Sequence, residues 1–533
     1  MRTIAILNSK KYDYKQGDAC FMLKKIVIFP SLMIFLLLLA ACSDAKEAGT
    51  GSSERVQADG KSLRLLFNIQ SHAIDPHTDT TYIAVRAGIT ETLVVISDEL
   101  GLQPGLADDW SSKDGRHWTF HIREGAAFHD GQPLDAEAVK LSLVRAQELN
   151  PAVRNTLSLR EIHADGQLLK LVTETPNLEL PSSFVHPNTA IVAPSSTDSN
   201  PVGTGPFKLA DFRSGSSLKV DRNTGYWGGP VKLEHAEILF NSDANARLMA
   251  IKAGSADIVF RPPLESFAQL QSDPSLTVES RSGLRTHLLM YNMRNRHLAQ
   301  EQVRRAFDHL IDRETITKDI MAGQATPAAG AFPAEAPFSP AYRPKAFSLD
   351  LAREAFREAG FTVEGGKVSD QGKPLSFRLL TYSSRAELPL IAQLVQAHAG
   401  ELGIKLEIRQ AENMDEYLSA NDDWDLATYS LVTAPRGEAA YFLNSGYLPE
   451  GALNYSHIDH PGLQAAIGTL NETVDAAERL ERSRQAMAIA DSETLNSFIV
   501  HPNIVVVYSG KVLGWKTTMS EYYLLTKDLD VAS

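Results

Sequence analysis

Cysteine is almost missing from this chain. Only Cys20 and Cys42 occur in 533 residues, both near the N-terminus. Neither a disulfide framework nor a cysteine-based metal site can therefore form in the remainder. Basic charge is also short, with 52 Lys+Arg against 65 Asp+Glu and a net charge of -13. Proteins that bind polyanions lean the other way, which excludes nucleic acid as a partner. Catalytic signatures are missing too: there is no HExxH, GxSxG, P-loop lysine or Rossmann GxGxxG. Gly203-Thr204-Gly205-Pro206 has two glycines, then a proline, and suits a fixed turn better than a phosphate cradle. His117, His121, His129, His163 and His186 are scattered, with no i, i+4 pair on a predicted helix; His457 and His460, at i, i+3 in a polar loop, come nearest. Asp422-Asp423 reads as a solvated turn. With no nucleophile–base set the chain reads as a non-enzyme, and no resident cofactor is expected. The composition, 43% hydrophobic and 22% charged, is that of a globular protein, long enough for two or three domains.

Residues 1–41 read as leader. From Met22, the expected true start, the chain runs MLKKIVIFPSLMIFLLLLAAC: a basic beginning at Lys24 and Lys25, then an apolar run too short and one-sided for a good spanning helix. Leu39-Ala40-Ala41-Cys42 looks like a bacterial lipobox, which implies a lipid on Cys42 and cleavage just before it. The removed part carries Arg2, Lys10, Lys11, Lys15, Lys24 and Lys25 against Asp13 and Asp18, so the mature chain is more acidic still. Residues 42–60 are small and polar, a flexible tether.

From Lys61 short strands alternate with helices. Leu63–Phe67, Leu168–Val172 and Ala236–Phe240 are strand-like. Asp135 is placed to cap a helix running to Val144. Gln302–Leu310, Asp350–Ala359 and Leu388–Leu402 carry apolar residues at helical spacing, the last two followed by Gly360 and Gly403. This mixture predicts an α/β protein. Ala325–Pro344, rich in Pro, Ala and Gly, reads as a long ordered loop.

Three stretches carry a family resemblance. Leu106 to Asp135 contains Trp110, Gly115, Trp118, Arg123, Phe128 and Gly131 in LADDWSSKDGRHWTFHIREGAAFHDGQPLD; Trp118, Phe120 and Ile122 alternate as a buried strand face would. Pro201-Val-Gly203-Thr-Gly205-Pro-Phe207 is followed by Arg222-Asn-Thr-Gly-Tyr226-Trp227-Gly228. Val303 to Arg313 reads VRRAFDHLIDR. Together they resemble the family 5 extracellular solute-binding proteins of ABC importers, the peptide, nickel and opine group, over essentially Lys61 to the end. The resemblance implies a two-lobed Venus-flytrap α/β fold with an extra subdomain in lobe one. Lobe one would span 61–279 plus 496–533, and lobe two 280–495. It also implies an extracytoplasmic, lipid-anchored monomer that delivers its ligand to permease and ATPase subunits.

For the ligand, the informative segment is Trp424 to Ser445. In relatives that bind peptides, an aspartate here pairs with the peptide α-ammonium. A gap-free register on Phe442 puts Pro435 at that place, and the nearest acid is Glu438. Burying an ammonium without its carboxylate costs several kcal/mol, so the resemblance turns toward the nickel and opine-metallophore branch, whose cargo is a metal wrapped in a chelator. Nickel, cobalt or zinc with an opine- or histidine-type metallophore is the expected cargo. The alternatives are a di- or oligopeptide, or a sensor that uses the same fold. Arg436 is expected in the cleft, where its fork suits a carboxylate. Arg154 lies near where nickel-binding relatives carry a chelator-contacting arginine, and Arg285 opens the crossover strand to lobe two. Tyr429, Tyr441 and Asn444 are candidates to stack on or hydrogen-bond the chelate. His77 occupies the family's first cleft loop. A second chelator arginine of those relatives has no counterpart, its place reading His186-Pro187-Asn188-Thr189. For their histidine ligand, Glu450 falls near without gaps and His457 with one; His457 is the candidate metal ligand.

Overall fold

The computed structural model describes residues 61–532; the leader, Cys42 and the tether lie outside them. Among the described residues no helix is long and apolar enough to cross a membrane.

The framework is a 12-stranded mixed sheet. At one end stand Phe207–Arg213, Ser217–Arg222, His235–Phe240, Ser62–Phe67 and Ile258–Phe260. At the other stand Lys405–Gln410, Ser376–Thr381, Leu426–Val432 and Arg285–Tyr291. One 14-residue strand, Asn496–Ser509, belongs to both halves. Its C-terminal part pairs with Ile258–Phe260 and Leu276–Ser282. Its N-terminal part pairs with Arg285–Tyr291 and Ala325–Pro327. The exchange falls at Pro502-Asn503, where proline has no amide hydrogen to give to a ladder. The companion crossing is Gly283-Leu284, between Leu276–Ser282 and Arg285–Tyr291. A Cβ at Gly283 would stand 3.1 Å from Ile504, so the two crossings touch. This is the two-lobed α/β architecture, with two strand crossings as its hinge.

Local signals explain the elements. In Ser62–Phe67, Leu63, Leu65, Leu66 and Phe67 are buried. Asp135 accepts from the Ala138 amide at 2.8 Å and starts the helix Ala136–Leu149. Ser348, two residues ahead of the expected start, caps Leu349–Glu358, and Gly360 closes it at φ +87°. Ala325–Pro344 contributes one short strand and is otherwise loop.

A separate four-stranded sheet forms the extra subdomain, in the order Ala107–Ser112, His117–Ile122, Leu168–Thr173, Leu159–Asp165. Trp118, Phe120 and Ile122 are buried along one face. Two of the three motifs meet where the subdomain joins the main sheet, with the Arg123 guanidinium 4.5 Å from the Trp227 ring centre. Glu91 accepts from Thr204 Oγ1 (2.7 Å), Tyr226 OH (2.7 Å) and Trp227 Nε1 (2.9 Å). The turn beside it is crowded: a Cβ on Gly203 would fall 2.0 Å from the Ile89 carbonyl oxygen, and one on Gly205 2.1 Å from that of Gly88. The turn is thus a backbone-to-backbone contact that only glycine permits.

Candidate functional site

Two adjoining cavities lie at the meeting of the two halves. The smaller, about 320 Å³, is lined by four arginines, Arg86, Arg261, Arg285 and Arg385, against one carboxylate, Glu521. Each arginine comes from a different element. Arg261 follows the strand Ile258–Phe260 and Arg385 follows Ser376–Thr381, both beyond the carboxyl ends of sheet strands, where open α/β sheets bind ligands. Arg86 donates through Nε to the Glu521 carbonyl (3.1 Å) and through Nη1 to that of Thr81 (2.9 Å). Arg261 Nη2 reaches both Glu521 carboxylate oxygens at 3.2 and 3.3 Å. Arg285 Nη1 donates to the Ser430 carbonyl at 3.2 Å. Arg285 and Arg385 have no carboxylate partner among the described residues.

This crowding is expensive. Burial, then the like charges of Arg385 and Arg261, push Arg285 down to about 9. Burial and Arg261 also push Arg385 down. Burial would raise the Glu521 carboxyl, but Arg261, Arg86 and Arg285 outweigh it and hold it below the usual range. Backbone strain gathers here as well: Tyr82, Arg261 and Glu521, all on the cavity wall, have φ of +57°, +47° and +54°. Left-handed conformations at bulky residues cost of order 1–3 kcal/mol each and mark functional sites.

The larger cavity, about 810 Å³, shares His186, Tyr441 and Leu453 with the first. Arg436 stands in it, its guanidinium 5.1 Å from the Tyr441 ring centre. Nη2 donates to Thr156 Oγ1 (3.2 Å) and Nη1 to Ser183 Oγ (3.5 Å), while Nε has no partner among the described residues. Burial and Arg436 push His186 down to about 3, so its ring is neutral; Nδ1 accepts the Asn188 amide. Asn444 exchanges side-chain amide hydrogen bonds with Asn471 at 3.1 and 2.8 Å. Glu438, half-buried with its Oε1 shut off from water, comes within hydrogen-bond reach of Glu179, which is ion-paired with Arg479.

Of the residues expected at the site, Arg285 and Tyr441 line the smaller cavity, and Arg436, Tyr441 and Asn444 the larger. Four others lie elsewhere. Arg154 is exposed on the helix Pro151–Leu157, pointing away although its neighbours Val153 and Asn155 line the larger cavity. His77 is fully buried, its ring spanning the Ala190 carbonyl (2.9 Å) and Arg145 Nη1 (2.8 Å), so no ring nitrogen is left for a ligand. Tyr429 donates to the Asp415 carboxylate. His457 bonds Asp422 at 2.8 Å and belongs to neither cavity. Among the described residues no group of three His, Cys, Asp or Glu could hold a metal ion. Sequence reasoning missed Arg86, Arg261, Arg385 and Glu521. An arginine directly after an apolar strand, as in Ile258-Val259-Phe260-Arg261, was the available signal.

A cation-walled cavity clasped between two hinged lobes defines a solute-binding protein. The family model of bacterial extracellular solute-binding proteins, family 5, middle region, matches residues 101–453, and the chain belongs to that family. Among its relatives, the nickel-binding protein NikA of Staphylococcus aureus is 30% identical over 481 residues, 90% of this chain and 95% of its own. The glutathione-binding protein GsiB of Escherichia coli O1:K1 is 27% identical over 395 residues, 71% of this chain and 72% of its own. Among solved structures, a nickel ABC transporter protein from Bacillus halodurans is 46% identical with a TM-score of 0.79, over 88% of this chain and 100% of that one. NikA from Staphylococcus aureus in complex with Ni(L-His)2 is 28% identical with a TM-score of 0.76, over 89% of this chain and 100% of that one.

Proposed function

We propose that this chain is the binding subunit of an ABC importer and captures nickel already wrapped in a carboxylate-bearing chelator, of which nickel bis-histidine is the simplest model. The observation that carries this reading is the set of four guanidiniums facing one carboxylate in the smaller cavity. A bare divalent cation would be repelled there, since like charges at close range in a low dielectric interact strongly. Carboxylates on a chelate reverse the sign and relieve the crowding among the arginines. The metal then needs no ligand from the protein. Kinship with a nickel-binding protein and with a structure holding a nickel–histidine complex supports the same cargo.

In this proposal Arg285, Arg385, Arg261 and Arg86 hold carboxylates, while Tyr441 and Arg436 stand at the opening toward the larger cavity. The lobes exchange at Gly283-Leu284 and Pro502-Asn503 and close on the chelate, so that permease and ATPase partners meet a loaded shape. The lipid at Cys42, the extracytoplasmic side of the membrane and a monomeric state complete the reading. Isothermal calorimetry with nickel(II) in excess L-histidine should give a saturable heat, and nickel(II) alone should give none. Binding of the bare ion, or of a peptide mixture with no response to the chelate, would overturn the proposal. The larger cavity favours a second reading, a longer cargo such as a short peptide, which mass spectrometry of co-purified ligand would reveal as a ladder of peptide masses.

A further inference from the structure

The larger cavity contains a pair of acids that the arginine site does not use. Glu438 lies on the loop before the helix Ala440–Tyr447, and Glu179 on the turn before Leu180–Ser183. In sequence Glu179 precedes both hinge crossings, whereas Glu438 lies between them. The two therefore ride on opposite lobes and meet only when the lobes are together. Glu438 Oε2 accepts the Tyr441 amide at 2.8 Å. Its Oε1 is buried with no donor among the described residues, and the group within reach is the Glu179 carboxyl. Two carboxylates in contact, one of them with an oxygen shut off from water, repel while both are charged, and a shared proton turns the repulsion into a hydrogen bond.

The charges around them do not remove the need for that proton. Arg479, held by the Leu470 and Thr473 carbonyls, pairs with Glu179. Arg436 gives its Nη groups to Thr156 and Ser183 rather than to Glu438. His186 is neutral, and Tyr441 offers only its backbone amide to this carboxylate. We propose that the protein binds its cargo together with one proton, held between Glu179 and Glu438 across the closed lobes. Burial, and next the Glu179 charge, raise Glu438 well above the ordinary glutamate value in this state. With the lobes apart Glu438 meets water and ionises.

The sign follows. An acid whose value is raised on closure favours the closed form at low pH, and that help is lost as pH rises through the raised value. Between the ordinary glutamate range and the raised value, affinity should fall about tenfold per pH unit, the slope of one proton. The proton site rests on the lobes closing, and only its calorimetric test rests on the chelated-nickel reading. Titration of the full chain with nickel(II) in excess L-histidine, in two buffers of different ionisation enthalpy, counts protons taken up. The wild type should take up about one more than Glu438→Gln, whose amide supplies its own hydrogen to Glu179. Small-angle scattering of the cargo-free protein is the second arm: the wild type should become more compact as pH falls, and Glu438→Gln should not. Equal proton counts in the two proteins, or compactness independent of pH in the wild type, overturn the proposal. Absent chelate heat with pH-linked compaction intact would instead sink the cargo reading and leave the proton site standing.

Discussion

Arg285 gives a prediction with two opposite signs. Replacing it by methionine keeps most of the side-chain volume and removes one charge from a cavity where four arginines face one glutamate. In the free protein that charge is a burden: burial, Arg385 and Arg261 push it from the ordinary arginine range down to about 9. At about 1.4 kcal/mol per pKa unit the burden is several kcal/mol, of which water in the cavity leaves roughly 2–3 kcal/mol. The variant forfeits the hydrogen bond to Ser430, about 1 kcal/mol. Net stabilisation of the cargo-free protein is thus about 1–2 kcal/mol. With unfolding entropy of about 1 kcal/mol per kelvin for a chain of this size, the Tm should rise by ~1–2 °C in calorimetry. Binding should move the other way. Losing one partner of a desolvated carboxylate costs about 2–5 kcal/mol, some thirtyfold to several thousandfold in Kd for nickel–histidine. The pH dependence has a defined sign as well. The penalty is complete below pH 9 and fades above it, because there the unfolded chain keeps a proton that the folded one releases. Wild type minus variant stability should therefore climb with pH above about 9. A variant that melts lower, or that binds as tightly as wild type, refutes the assignment of Arg285 to the ligand.

Arg436→Ala should weaken chelate binding at least about tenfold in calorimetry; unchanged affinity would remove it from the site. Glu91→Ala strands Thr204 as a buried donor and Tyr226 and Trp227 as half-buried ones. It should cost about 3 kcal/mol or more in urea unfolding, and a neutral result would show that the subdomain is anchored elsewhere. His77→Phe should destabilise the fold by about 1–3 kcal/mol through its two lost polar partners, with chelate affinity retained in whatever fraction stays folded. His457→Ala should leave the affinity within about twofold of wild type; a large loss would restore His457 as a ligand.

What the sequence disclosed, and what it hid, follows from distance along the chain. Asp135 and the alternation of Trp118, Phe120 and Ile122 act within a few residues of themselves, so their elements were legible. The GTGP turn and the Tyr226-Trp227 pair were equally conspicuous, yet their partner is Glu91, more than 100 residues away. They identify a fold because they clamp a subdomain to a sheet, and so they say nothing about cargo. The site arginines behave oppositely. Residues 86, 261, 285 and 385 stand far apart in sequence, at the end of a short helix, at the start of a strand and in two loops, and the fold brings them together. Arg285 was legible because it begins a crossing strand. Arg154 and His77 were drawn from segments whose neighbours border the site, but helix phase turns Arg154 outward and Arg145 holds His77 in the core.

The long strand Asn496–Ser509 also sets an order of events. It sits between the halves of the 12-stranded sheet and follows every other strand of that sheet in sequence. Until it arrives, Arg285–Tyr291 and Ile258–Phe260 each lack a neighbour, and neither lobe can finish its sheet. Domains made earlier in a chain usually fold first; here the first lobe must wait for a strand that follows the whole of the second. A truncation just before residue 496 should leave two unfinished halves rather than one folded lobe and one missing one.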